Sequence, residues 1–552
     1  MHLINYPSLI IVFLLLAFQS AAQPLLEKGE YSVGFQMDWI ENPNLSYSME
    51  DGIRRNNKPV LLGIWYPARE NSNHPLSVHD YMSMKGLEGR EKIQEAFFKN
   101  EENSWKENAA SYFTENKDLH NDCYTWLIDN KGYAKLDALP LDSKFPVIIY
   151  EHGGGCTYNE NLQTFEYLAS HGYVVVSSEF WTLEYGIPIQ LNWYEAKSDL
   201  QCIVRSLKEL TYADVSQLAF MGHSQGAQYG YGMMIGATPF KAFIPLDPTW
   251  HAYGLEKISE YWEKEHIGML ELLKLQATDM YPDILEISGL FEPDQKDIQY
   301  DSLLSFYEKQ NNGYFLTKLF KHSNRHLMTI GGRSSDGKEM DHDSFISQGA
   351  LAYSFLSNQK EFFKNADPRL LNYFESQYKL YQKMNHLILL FLNKALKPTK
   401  VNMDKWITET KKLENSDDPI RYQYLPSEYK FKEDEFWWQL LKVKDITDLD
   451  LLQKLIKEEI DNTGRTSFKY IFAIMMNHKK NPDLAYKVSD IHMKLEKETW
   501  YTYFVHANLL YHTGHEEKAI LFYEKSLETA PSDHKLTEKM NRKEFSNWSA
   551  WQ

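Results

Sequence analysis

Six runs of apolar residues punctuate the first half of the chain. They are PVLLGIWYPA (59–68), FPVIIYEHGGG (145–155), GYVVVSSEF (172–180), SQLAFMGHS (216–224), KAFIPLDP (241–248) and DILEISG (283–289). Each but DILEISG, which Glu286 interrupts, has a largely continuous apolar core, which suits a strand buried on both faces. Amphipathic segments such as NLQTFEYLASH and EAKSDLQCIVRSLKEL separate them. Strand–helix alternation of this kind predicts an α/β fold over about residues 26–360, a mostly parallel sheet with helices on both faces. The stretch 72–135 is polar, charged and helical in pattern, and reads as an insertion ahead of the main parallel sheet. A second helical insertion is expected at 249–282, and GYFLTKLFK (313–321) reads as the last strand.

Beyond residue 360 the strand pattern fades, and 361–552 reads as an all-α region rich in Lys, Glu, Tyr and Leu. Near its end, Ala507, Gly514, Ala519, Tyr523 and Pro531 stand at spacings that resemble a tetratricopeptide unit. Moving back 34 residues from Ala507 and Ala519 reaches Ala473 and Ala485. Small residues suit the points where paired helices approach closely. The repeat-like part is expected near 466–533, leaning on the helices of 361–460.

At the other end, the apolar run Leu9–Phe18 is too short to span a bilayer and is followed by Ser20-Ala21-Ala22. Residues 1–22 therefore read as a secretory signal, with a secreted or periplasmic product, although no Lys or Arg precedes the run. The three cysteines, Cys123, Cys156 and Cys202, are too few for a disulfide scaffold. A net charge of −17 argues against a nucleic-acid partner, which requires a concentrated basic face.

Within this frame the pentapeptide Gly222-His223-Ser224-Gln225-Gly226 acquires meaning. It joins a buried strand to a segment rich in small residues that can open a helix. That is the context in which G-x-S-x-G presents a nucleophilic serine on a strained turn. Such a serine needs an oxyanion hole. One backbone N–H comes from the residue after it, Gln225, and the other from the glycine loop His152-Gly153-Gly154-Gly155, with Gly154 as the donor. His152 reads as structural. Asp247, at the end of the strand after the nucleophile helix, is the orienting acid, with Asp294 as the alternative. Three histidines follow the expected last strand. His342, just before an aromatic residue and a helix, is the first choice for the base, and His326 and His322 are the alternatives.

The stretches KPVLLGIWYPA, PVIIYEHGGG, VSQLAFMGHSQGA, IPLDPTW and HDSF together resemble the α/β-hydrolase superfamily, and within it the platelet-activating-factor acetylhydrolase and dienelactone-hydrolase-like group. The resemblance covers roughly residues 30–360. It implies hydrolysis of short acyl or acetyl esters by a Ser224–His342–Asp247 mechanism, without metal or cofactor. The expected function is thus an exported serine esterase acting on a small-molecule ester, with a helical tail able to dock a protein partner. Two alternatives belong to other classes: a binding or assembly protein with the hydrolase part as scaffold, and a peptidase or carbohydrate esterase on the same fold.

Overall fold

The computed structural model describes residues 26–83, 90–110, 117–234, 238–248, 282–289, 323–330, 340–364, 368–414, 420–427, 482–495, 514–529 and several isolated positions from 453 to 511. The signal segment, the insertion 249–281, the expected strand 313–321, His322 and Asp294 lie outside the described residues. The chain divides into two compact units. One comprises the chain up to Gly230 with Pro239–Leu246 and Gly337–Asn415, and the other comprises Tyr231–Thr238, Asp247–Asp336 and Ser416–Gln552.

Among the described residues nine strands belong to the first unit: β1 (Ser32–Ser48), β2 (Arg54–Ala68), β3 (Ala134–Leu136), β4 (Phe145–Glu151), β5 (Val174–Ser178), β6 (Trp181–Glu184), β7 (Ile187–Gln190), β8 (Ala213–His223) and β9 (Phe240–Leu246). Seven of them lie side by side in the order β9-β8-β4-β5-β2-β1-β3, and β6 and β7 form a separate hairpin. The strands β9, β8, β4 and β5 run parallel, β2 is antiparallel to β5, and β1 is antiparallel to β2. The parallel members are the continuous apolar runs: every residue of β4 and of β5 is buried. The register aligns Glu151 with Gly222 and His223 with Leu246, so β4, β8 and β9 end level with one another. The residues that follow each of these ends fall at one edge of the sheet, where α/β folds place their chemistry.

The helices of this unit follow from their sequence patterns. In α5 (Trp193–Ser206) the buried positions Trp193, Ala196, Leu200 and Ile203 recur at intervals of three and four, one face of a 3.6-residue period. Asn192 caps it, accepting from the N–H groups of Tyr194 and Glu195 at 3.0 and 3.2 Å, and the Glu195 carboxylate reaches back to complete a capping box. Lys58 of β2 meets Asp199 of α5 at 2.5 Å with side-chain exposures of 2% and 0%, and Asn42 donates to the other carboxylate oxygen at 2.8 Å. Residues 72–135 contribute α1 (Val78–Ser83), α2 (Glu91–Ala110) and α3 (Lys117–Ile128). The unit closes with α4 (Leu162–Ser170), the first part of α6 (Gln225–Met233), α7 (Ser347–Ser357), α8 (Pro368–Leu396) and α9 (Lys400–Glu414).

The fold does not divide at residue 360. Tyr381 and Asn385 of α8 bond Thr164 of α4 at 2.7 Å each, and Asn393 accepts from the Tyr173 hydroxyl at 2.8 Å. In α8, apolar residues such as Met384, Leu387, Ile388, Phe391 and Leu392 are buried in the first unit, so this helix is part of the unit and not of a separate tail. Nor is the C-terminal region all-α. The second unit contains β10 (Asp283–Gly289), β11 (Arg325–Ile330) and β12 (Ile420–Leu425), with β10 and β11 parallel and β12 antiparallel to β11. The six residues of β12 are too few to show against their charged surroundings, and their pairing with β11 supplies what local pattern lacks. Later in this unit, Ala519 and Tyr523 of α10 (Glu516–Thr529) form one buried cluster with Ala507 and Leu510. Gly514 turns the chain there with φ +81°.

Glu166 of α4 gives the first unit a measurable pH signature. The Tyr81 hydroxyl donates to it at 2.7 Å and the Tyr133 N–H donates to its other oxygen. Burial pushes its carboxyl up to about 7 from an ordinary 4.5, with these bonds opposing the rise. The folded state therefore holds a proton that the unfolded chain releases, so this group's contribution is complete below about pH 4.5 and is lost as pH rises through 7. The loss is on the order of 3 kcal/mol. Glu166→Gln imitates the protonated acid. Denaturant unfolding from pH 5 to 8 is expected to show a flatter stability curve for the variant, the difference growing with pH.

Candidate active site

The chain leaves β8 and enters α6 through a single residue, Ser224, whose φ of +50° is left-handed. A non-glycine residue held there costs about 1–3 kcal/mol and persists where its surroundings over-determine it. Both flanking glycines are sterically required. A Cβ on Gly222 would lie 2.5 Å from the Gly226 backbone, and one on Gly226 would lie 2.2 Å from the Glu151 carbonyl oxygen. Strand and helix thus approach too closely for any side chain at these two positions. The Ser224 N–H donates to the Leu246 carbonyl at 2.9 Å, tying the elbow to the end of β9.

The glycine loop after β4 passes directly over the elbow. A Cβ on Gly153 would meet Ser224 Cβ at 3.4 Å, and one on Gly154 would meet Gln225 Oε1 at 2.8 Å. The Gly153 N–H donates to Glu160 Oε1 at 3.1 Å, so it is turned away from the serine. Gly155, at φ +76°, donates its N–H to Gln190 of β7 at 3.2 Å. The Gln225 side chain is steadied by Tyr229 at 2.8 Å. His152 is fully buried. Its Nδ1 lies 2.7 Å from the Gly153 carbonyl oxygen, and its Nε2 contacts the Glu179 carbonyl and faces the Trp181 indole N–H at 3.1 Å. It holds the loop rather than facing the serine.

His342 opens a short 3-10 turn, His342–Phe345, within the same unit as Ser224. Asp341 caps the turn by accepting the Asp343 N–H at 3.1 Å, and is itself held by Gln377 and Tyr373 of α8 at 2.8 and 3.2 Å. The His342 ring lies 4.6 Å from that of His223, the residue before Ser224. His342, Ser224 and Gln225 are half-buried and Gly154 is exposed, so this cluster is open to a ligand.

Asp247 is the residue after β9, buried, with φ +39° and its N–H donating to the Ile287 carbonyl at 2.7 Å. It belongs to the second unit. His326 lies inside β11 and not beyond the last strand as its sequence position suggests. It is buried, stacked between Tyr422 and Tyr424 at 6.0 and 4.8 Å, with Nδ1 2.7 Å from the Tyr422 hydroxyl.

The sequence offered no sign of Glu160. It is fully buried, and its Oε1 accepts the Tyr150 hydroxyl at 2.6 Å besides the Gly153 N–H. Burial alone would raise its carboxyl, but His223, His152 and Tyr150 together hold it below the ordinary carboxylate value. A single glutamate shortly before an amphipathic helix resembles any first-turn acid.

Residues 139–259 match the Chlorophyllase family model. The mostly parallel strands β9-β8-β4-β5 with their accompanying helices make an α/β fold. The chain is 32% identical over 108 residues to chlorophyllase-1, chloroplastic, from Citrus unshiu and equally to that from Citrus sinensis, covering 17% of this chain and 32% of each relative. It is 26% identical over 123 residues to chlorophyllase type 0 from Chenopodium album, covering 19% of this chain and 35% of that protein. The chain thus spans about a third of the length of the curated relatives it matches. A ferulic acid esterase from Streptomyces cinnamoneus aligns with 73% of this chain and 100% of its own, at 12% identity and a TM-score of 0.42.

Proposed function

We propose that the protein is an exported serine hydrolase that cleaves a carboxylic ester of a short acyl group. The observation that carries this reading is the left-handed Ser224 between two glycines that admit no side chain, with a glycine loop directly above it. The matched segment 139–259 contains both features and supports an ester-cleaving serine hydrolase.

In the proposed reaction Ser224 Oγ attacks the ester carbonyl while the His342 imidazole takes the hydroxyl proton. Asp247 orients that imidazole and balances its positive charge. The N–H groups of Gly154 and Gln225 receive the tetrahedral oxyanion. His342 then passes the proton to the departing alkoxide, which leaves as the alcohol. Water, deprotonated by the same imidazole, releases the acid from the acyl-enzyme. The triad order along the chain is Ser, Asp, His, as in α/β hydrolases.

Turnover of p-nitrophenyl acetate and labelling by a fluorophosphonate probe test the reading. A folded wild-type chain that does neither overturns it. The two histidines give a sharper test. His342→Ala is expected to lose on the order of 10³-fold or more in kcat. His326→Ala is expected to stay within about threefold per folded molecule, because its ring is committed to packing between tyrosines. The reverse outcome moves the base to His326.

A further inference from the structure

We propose that Glu160 is a positioning residue for the base, setting His342 in place through His223. The inference rests on the reaction proposed above and goes beyond it by naming what holds the base. Three separate segments carry the site: the glycine loop, the elbow and the turn at His342. Glu160 touches the first two and the helix that follows the third. Its Oε1 accepts the Gly153 N–H at 3.1 Å and lies 3.9 Å from His223 Nδ1. Its backbone carbonyl accepts the N–H of Gln348, just beyond the His342 turn, at 3.2 Å.

The link to the base runs through His223. Its Nε2 is 3.2 Å from the His342 carbonyl oxygen, which can only accept, so the proton sits on Nε2 and Nδ1 faces the carboxylate. At 3.9 Å the Nδ1 contact is too long for a hydrogen bond, and it becomes an ion pair only when Nδ1 also carries a proton. The two imidazole rings lie 4.6 Å apart with 31° between their planes, so a shift of His223 displaces the base as well. There is no slack on the loop side, since a Cβ on Gly153 would stand 2.9 Å from His223 Nδ1. The neighbouring Asn161 fixes the same turn from below. Its Oδ1 accepts from the Ser347 N–H and hydroxyl at 3.1 Å each and from the Tyr381 hydroxyl at 2.8 Å. A charged carboxylate buried this deeply is costly unless donors surround it. Here one donor, the Gly153 N–H, belongs to the glycine loop of the site, and the Tyr150 hydroxyl supplies the other.

The test uses the full chain, p-nitrophenyl acetate turnover, the rate of fluorophosphonate labelling and a thermal melt for each variant. His223→Leu fills the space but donates nothing. It is expected to lower kcat on the order of 10–100-fold with KM within about twofold, and to slow labelling in parallel. His223→Gln restores a side-chain N–H and is expected to recover about tenfold of that loss. Glu160→Gln keeps an oxygen for Gly153 but not the charge, and is expected to lose about tenfold in kcat at unchanged KM. Full kcat in His223→Leu, or a His223→Gln no faster than His223→Leu, overturns the proposal. Should His223→Leu fail to fold, unchanged kcat in Glu160→Gln overturns it. Ser224→Ala separates the two levels: if that variant turns over ester at the wild-type rate, the serine reading has failed and this inference with it. If only Ser224→Ala is inactive, the serine reading stands and the positioning role falls.

Discussion

Ser224→Ala is expected to abolish fluorophosphonate labelling and to lower kcat for an aryl acetate by about 10³–10⁶-fold while leaving the fold intact. The residual rate over water would come from the oxyanion donors alone. The elbow adds a second expectation that few nucleophiles allow. Ser224 is held at φ +50°, a conformation that favours glycine. Ser224→Gly should therefore be as inactive as Ser224→Ala yet more stable than wild type, by about 1 kcal/mol. A gain in stability together with a loss of turnover, measured by denaturant midpoint and ester assay on one preparation, would mark strain maintained for chemistry. A stability loss in Ser224→Gly would show that the serine side chain contributes packing instead.

The largest effect on stability is expected at a site with no catalytic part. Asp199→Ala leaves the Lys58 ammonium, 2% exposed, without its carboxylate, and takes from the Asn42 amide the acceptor at 2.8 Å, leaving it the Ser198 hydroxyl at 3.0 Å. Stranding one member of a buried pair costs about 3–5 kcal/mol. Lys58→Met combined with Asp199→Leu removes both charges and is expected to recover most of the loss, because a packed apolar pair replaces the ion pair. Guanidinium midpoints for the single and double variants check this. A double variant as unstable as Asp199→Ala would mean that the hydrogen bond from Asn42, rather than the ion pair, dominates.

The elements visible in the sequence share one physical property: they are buried on both faces. The runs at 59–68, 145–151, 174–178, 216–223, 241–246 and 283–289 all lie in strands, because a strand covered on both sides must be largely apolar. The strands that stayed hidden lack that signature. Half of β1 is polar and partly exposed, and it relies on antiparallel pairing with β2. The β6–β7 hairpin turns at Tyr185 and Gly186, both with positive φ, without the Asn-Gly or Asp-Gly signal that usually betrays such a turn. For β12 the missing information is its partner, a strand about a hundred residues earlier.

The site divides along the same line. Ser224, the glycine loop and the two flanking glycines are local features, since each is required by neighbours a few residues away or at the end of the adjacent strand. The placement of His342 depends on contacts that cross the chain. Its ring packs on His223, its turn is pinned by Asn161, and its cap is held from α8. Spacing along the sequence therefore left three histidines open, and long-range packing gives His342 and His326 such different surroundings.

The bonds from α8 also bear on whether the hydrolase part can be moved as a module. Tyr381 is fully buried and its hydroxyl serves Asn161, Thr164 and Ser347 at once, at 2.7 to 2.9 Å. A chain joined to another protein at residue 360 would lose that hydroxyl and leave three polar groups in the interior beneath the His342 turn. The transplantable piece is the one that runs on through α9. A graft made at the boundary of sequence resemblance carries Ser224 and His342 but not the Tyr381 hydroxyl that holds Asn161 and Ser347.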